Sequence, residues 1–188
     1  MSRILRHPNI LQKETTALVV IDMQAPFVNA VCDTPVLVEN VADLAAGFNL
    51  LKIPIIGTTQ YASRMGDIIP EIRRALPPTP AHDKMVFDCC GSESFLEALK
   101  KTGASQVVLC GIETHICVCQ TAHGLLLRGY QVHVATDAIS SRNEANYRLG
   151  LDKMTASGIL QTSVEMALYE LMYEAGGPAF KDILALIK

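Results

Sequence analysis

Residues 107–122, VVLCGIETHICVCQTA, place a cysteine where a thiol can become reactive. An apolar run ends at Gly111, a short polar turn follows, and a helix-compatible run opens with His115, Ile116 and Cys117. The pattern predicts a strand, a tight turn and a helix, with Cys117 near the helix N-terminus. N–H groups at a helix start lack intrahelical partners, and the helix dipole is positive there. Both effects favour thiolate over thiol, and the thiolate is the nucleophile. Cys117 is therefore the candidate nucleophile, expected as a thiolate. The other cysteines read as small hydrophobes or loop residues. Cys110 ends an apolar run, Cys119 points to another helix face, and Cys32, Cys89 and Cys90 fall in loop-like segments.

The elements that must position this thiol follow from the apolar pattern. Strand-length runs occur at 17–21, 54–58, 106–110, 131–135 and 159–161, with a weaker one at 85–87. Helical stretches are predicted at 36–51, 94–101 (capped by Ser92), 115–128, 144–157 and 164–174. A short terminal helix follows the break at Gly176, Gly177 and Pro178. Strands apolar on both faces, alternating with helices, predict a three-layer α/β/α domain around a parallel sheet of about six strands. In such sheets ligands bind beyond the carboxyl ends of the strands. Asp22 ends the first strand there, residues 57–61 the second, 111–117 the fourth and Asp137 the fifth. Lys84 starts the weak third run and needs a special loop geometry to reach the same rim. The one long irregular stretch, 60–83, holds Gly66, Pro70, Pro77, Pro78 and Pro80. Loops of that size carry function or a binding edge.

Composition narrows the classes. The chain has 188 residues, 49% apolar, and reads as a single domain over 1–188 with a sizeable core. Its net charge of −3, without blocks of one sign, argues against a nucleic-acid partner. The start, MSRILRHPNILQKET, shows no secretory pattern, and no apolar run has the length of a membrane span. Six cysteines without C-x-x-C spacing point to a reducing, cytoplasmic location. No G-x-G-x-x-G follows the first strand, which disfavours a dinucleotide oxidoreductase. Met166, Tyr169, Met172 and Tyr173 on one helix point to a homo-oligomer, a dimer or a tetramer.

The segment ALVVIDMQ at 17–24, a loop lysine, and GIETHICVCQTA at 111–122 together resemble the isochorismatase-like hydrolase superfamily. The most specific element is G-x-x-T-x-x-C-V-x-x-T-A, met at Gly111, Thr114, Cys117, Val118, Thr121 and Ala122. Residues 58–72, 128–146 and 157–171 look like the subgroup called isochorismatase domain-containing proteins. The resemblance runs from about Thr15 to the C-terminus and implies a Rossmann-like sandwich. It implies a catalytic set of Asp22 as general base, Lys84 as its counter-charge and Cys117 as nucleophile. It also implies a cis peptide between Ile112 and Glu113, with the N–H groups of Glu113 and Cys117 forming an oxyanion hole. Gln24, Phe27, Gln60 and Tyr61 are candidate substrate-binding residues.

Two departures refine the expectation. The region after the second strand contains no histidine, and His82 and His115 are isolated, so no metal and no other cofactor is expected. Siderophore-pathway isochorismatases lack the cysteine, so Cys117 argues against vinyl-ether hydrolysis. The expected activity is a metal-independent cysteine hydrolase of a small molecule, cleaving a carboxamide or related C–N bond through a thioester. The alternative is a non-catalytic family member that binds a partner or senses oxidation through Cys117.

Overall fold

The computed structural model describes residues 6–187. Its centre is β1 (Thr16–Ile21) and β4 (Gln106–Ile112), every residue of both being buried. Such strands must be covered on both faces, which is the condition for a parallel sheet. The six strands are all parallel, in the order β3-β2-β1-β4-β5-β6. The remaining strands are β2 (Ile55–Gln60), β3 (His82–Lys84), β5 (Gln131–Ser140) and β6 (Leu160–Thr162). The chain runs outward from β1 to β3, then returns to lay β4 against the other side of β1. That reversal opens a crevice beyond the carboxyl ends of β1 and β4, the place where such sheets bind ligands.

Alternate residues of the central strands feed two cores. Leu18, Val20, Val108 and Cys110 pack under α2 (Thr34–Leu50) and α8 (Val164–Met172), with Phe48 and Leu168 among the partners. Ala17, Val19, Val107 and Leu109 face α5 (Glu93–Thr102), α6 (Cys119–Leu127) and α7 (Glu144–Ala156), through Phe95, Leu125 and Met154. The result is the predicted three-layer architecture. Where β1 and β4 end, Gly111 has φ +106°, and a Cβ on it would lie 2.1 Å from the Ile21 carbonyl oxygen. Only glycine lets the two central strands approach this closely before the site.

Several local expectations are corrected. The third strand is not 85–87: it is β3, and Met85, Val86 and Phe87 are 63%, 48% and 52% exposed. β3 is a short edge strand with little apolar content, so apolar runs pointed to the wrong residues. The stretch 60–83 is not irregular throughout, since it holds α3 (Ala62–Met65) and α4 (Pro70–Arg73). Ser92 precedes α5 but makes no capping bond; its hydroxyl meets Ser94 Oγ at 3.2 Å instead. Asp137 lies within β5 rather than at its end, and its carboxylate accepts the Val164 N–H at 3.0 Å, fastening the start of α8. Two short helices complete the fold, α1 (Ala25–Val28) and α9 (Phe180–Leu186). Among the described residues no helix is long and apolar enough to cross a membrane.

Candidate active site

Three strand ends deliver three side chains to one point. Asp22 follows β1 with φ +52°, a left-handed conformation that aspartate tolerates better than most residues. Its N–H donates to the Thr58 carbonyl at 3.2 Å, and Thr58 Oγ1 donates to Asp22 Oδ1 at 2.7 Å. Lys84 ends β3, whose register pairs it with Gln60 of β2. The special loop expected for Lys84 is not needed, because the strand itself carries the lysine to the carboxyl rim. Its ammonium donates to Asp22 Oδ2 at 2.6 Å and to Gln60 Oε1 at 2.7 Å, and lies 3.7 Å from Cys117 Sγ. Asp22, Lys84 and Cys117 are 1%, 3% and 7% exposed, so this constellation sits in the interior.

Cys117 lies in a π-helical turn, Thr114–Val118, that leads into α6. The peptide Ile112–Glu113 before it is cis. The charge state expected from the sequence is corrected. Burial, and then the Asp22 carboxylate beside it, push the Cys117 thiol well above its ordinary range, and Lys84 offsets this only in part. A helix start alone cannot outweigh that loss of hydration. The surroundings of Cys117 thus favour its thiol form, beside the Asp22 carboxylate. Burial opposes the charge on Lys84, but Asp22 together with the Cys89 and Cys117 sulfurs outweighs it and holds the ammonium above its ordinary value. A second thiol, Cys89, stands behind Asp22. It is 3.8 Å from Thr58 Oγ1, and burial raises it to about 11.

A cavity of about 70 Å³ opens over this centre, lined by Asp22, Phe27, Gln60, Phe87, Ile112, Glu113, Ile116 and Cys117. Glu113 is held at the rim by Arg142, whose Nε lies 3.0 and 3.1 Å from its two carboxylate oxygens. Of the sequence-predicted binding residues, Phe27 and Gln60 line the cavity. Gln24 stands one layer behind, fully buried, with its amide bonded to the Gly66 carbonyl at 2.7 Å and the Gln60 N–H at 2.7 Å. Tyr61 is outside the lining and 36% exposed, starting α3 with φ +49°. Sequence reasoning missed Thr58, Ile112, Ile116 and Phe87. The cue for Thr58 was available, a buried hydroxyl where the apolar start of β2 gives way to Thr58, Thr59 and Gln60. Among the described residues no group of three or more His, Cys, Asp and Glu side chains could hold a metal ion.

The isochorismatase-domain profile matches residues 16–166, which spans all three side chains. The chain belongs to the isochorismatase family. A protein described as a secreted isochorismatase effector, from Phytophthora sojae, is 37% identical over 100% of this chain and 88% of its own length. Isochorismatase domain-containing protein 2 of Danio rerio is 35% identical over 94% of this chain and 89% of its own. A solved structure described as the MAR1 ribonuclease of Caenorhabditis elegans superposes with a TM-score of 0.89. It is 33% identical, covering 95% of this chain and 92% of its own. Membership carries a hydrolase fold and places the chain near the isochorismatase domain-containing subgroup.

Proposed function

We propose that this chain is a cysteine hydrolase that cleaves the C–N bond of a small carboxamide through a thioester on Cys117. The observation that carries the reading is one ammonium, Lys84 Nζ, lying 2.6 Å from a buried carboxylate and 3.7 Å from a buried thiol on the floor of a cavity. In the first half, Asp22 takes the Cys117 proton as sulfur attacks the carbonyl carbon. The S–C bond forms, negative charge moves to the carbonyl oxygen, and the N–H groups of Glu113 and Cys117 receive it. Losing one such donor costs roughly 3–4 kcal/mol. The C–N bond then breaks, and Asp22 returns its proton to the leaving amine. In the second half water attacks the thioester, its proton passes to Asp22, and the C–S bond breaks. The acid leaves and the thiol is restored. Lys84 keeps the countercharge next to Asp22 throughout.

The nematode relative is described as a ribonuclease. A net charge of −3 and a cavity lined by two carboxylates, Asp22 and Glu113, do not suit a phosphate backbone, so the small-molecule reading is preferred. The six free cysteines fit reducing surroundings and hence the cytoplasm, although the Phytophthora sojae relative is described as secreted. Met166 and Tyr169 on α8 and Tyr173 just beyond its end expose 53%, 45% and 50% of their surface, which supports a homo-oligomer through that face, whereas Met172 packs against the core. The test of the activity is ammonia release from a panel of small amides, with Cys117→Ser alongside. Ammonia release that disappears in Cys117→Ser, with an acyl mass on the parent protein, is the expected result. Turnover that survives Cys117→Ser refutes the reading.

A further inference from the structure

The charges around the thiol are all spent on one another. An ammonium has three donors, and Lys84 directs them to Asp22 Oδ2, Gln60 Oε1 and Cys117 Sγ at 2.6, 2.7 and 3.7 Å. The Gln60 amide group turns away to the Met85 carbonyl at 2.8 Å. Glu113 is paired with Arg142, which does not line the cavity and whose side chain is 60% exposed. What remains facing the interior is Phe27, Phe87, Ile112 and Ile116. Among the described residues, a substrate carboxylate would meet no free cation in this lining, only the Asp22 and Glu113 carboxylates. A substrate ammonium would find both of those already paired. Either charge would lose its water without compensation, which is costly in an apolar site.

Resting on the cysteine-hydrolase reading above, we infer that the acyl group accepted by Cys117 is uncharged, apolar and short. A cavity of about 150 Å³ holds a six-carbon ring, so the enclosed space of about 70 Å³ takes roughly three non-hydrogen atoms, and anything longer lies in its open mouth. A butyryl or smaller aliphatic acyl group fits on those terms, the end of its chain at the mouth. A doubly charged substrate such as a dicarboxylate does not fit the electrostatics. The surface around the mouth extends the same character, since Phe87 is exposed there beside Met85 and Val86.

Activated esters test this without requiring the natural leaving group. The p-nitrophenyl esters of butyrate, hydrogen succinate and 4-aminobutyrate present acyl groups of similar size with no charge, a negative charge and a positive charge. In each, sulfur bonds to the acyl carbon, the C–O bond breaks, the thiol proton goes to Asp22, and nitrophenolate leaves. The readout is the nitrophenolate burst that vanishes in Cys117→Ser, normalised to the reaction of each ester with a free small thiol. The butyrate ester should acylate at least tenfold faster than either charged ester. Phe87→Arg, a change at an exposed position on the mouth, should move the butyrate-to-succinate ratio at least tenfold toward succinate. A charged ester that acylates the parent protein within tenfold of butyrate overturns the inference while leaving the nucleophile in place. A Phe87→Arg ratio equal to the parent's overturns it as well. No Cys117-dependent burst with any ester defeats the hydrolase reading itself, and this inference with it.

Discussion

Replacing Lys84 with methionine keeps most of the side-chain volume and removes only the charge and its donors. In the folded protein this strands Asp22, which is 1% exposed and keeps the Thr58 hydroxyl and the neighbouring Cys117 thiol but no cation. Removing one partner of a buried ion pair costs about 3–5 kcal/mol, because the other charge stays buried and uncompensated. For a chain of this size that corresponds to a fall in Tm of roughly 6–20 °C. Turnover should fall by about 10²–10⁴-fold, the span attributed to a positioned general base. The double variant Lys84→Met with Asp22→Asn removes both charges. It should regain much of the lost stability while remaining as inactive as either single change, since the groups act as a unit. Urea unfolding gives the stabilities and ammonia release gives the rates. Lys100→Met, on an exposed face of α5, is the control and should stay within about 0.5 kcal/mol of the parent. A Lys84→Met protein within about 1 kcal/mol of the parent and near-normal in turnover would refute the argument.

Three further outcomes follow from the geometry. Asp22→Asn removes one of the charges that push the Cys117 thiol up, so iodoacetamide should alkylate Cys117 faster at neutral pH although turnover is lost; slower alkylation would contradict the assigned contact. Gly111→Ala places a Cβ against the Ile21 carbonyl at a backbone conformation that alanine resists, so it should destabilise by more than about 4 kcal/mol or fail to fold, read by yield and circular dichroism. Burial lowers the His133 imidazole from its ordinary value near 6.5 to about 4. Between those values the unfolded chain binds the proton and the folded chain does not. Stability should therefore drop as pH falls through that window, by at most about 3 kcal/mol. His133→Gln should flatten the dependence, measured as urea midpoints at neutral and mildly acidic pH.

The sheet core was legible because its strands are apolar on both faces, and the helices because their apolar residues recur at helical spacing. Asp22 and Cys117 were legible because each sits where an apolar strand run gives way to a polar turn. β3 was not legible: an edge strand of His82, Asp83 and Lys84 carries no apolar signature, so its register, and with it the depth of Lys84, had to come from pairing with β2. Phe87 was read as part of a weak third strand because it is hydrophobic, whereas it stands exposed at the cavity. The charge state of Cys117 was misjudged for another reason. A sequence shows that a helix begins, but not how much water the thiol loses or which carboxylate lies against it. Gln24 carried the polarity expected of a substrate contact, and the fold uses it to tie Gln60 to Gly66.

The ammonium at the heart of the site hangs from one of the two short edge strands of the sheet. β3 has three residues, lies at the edge, and has β2 as its only strand neighbour. Short edge elements open at far lower free energy than central ones. When this edge frays, the ammonium leaves Asp22 while β1 and β4, and both cores around them, stay intact. Loss of the Lys84–Asp22 contact is therefore expected to precede loss of the sheet on heating or in mild denaturant, read as turnover falling before the far-ultraviolet circular dichroism changes.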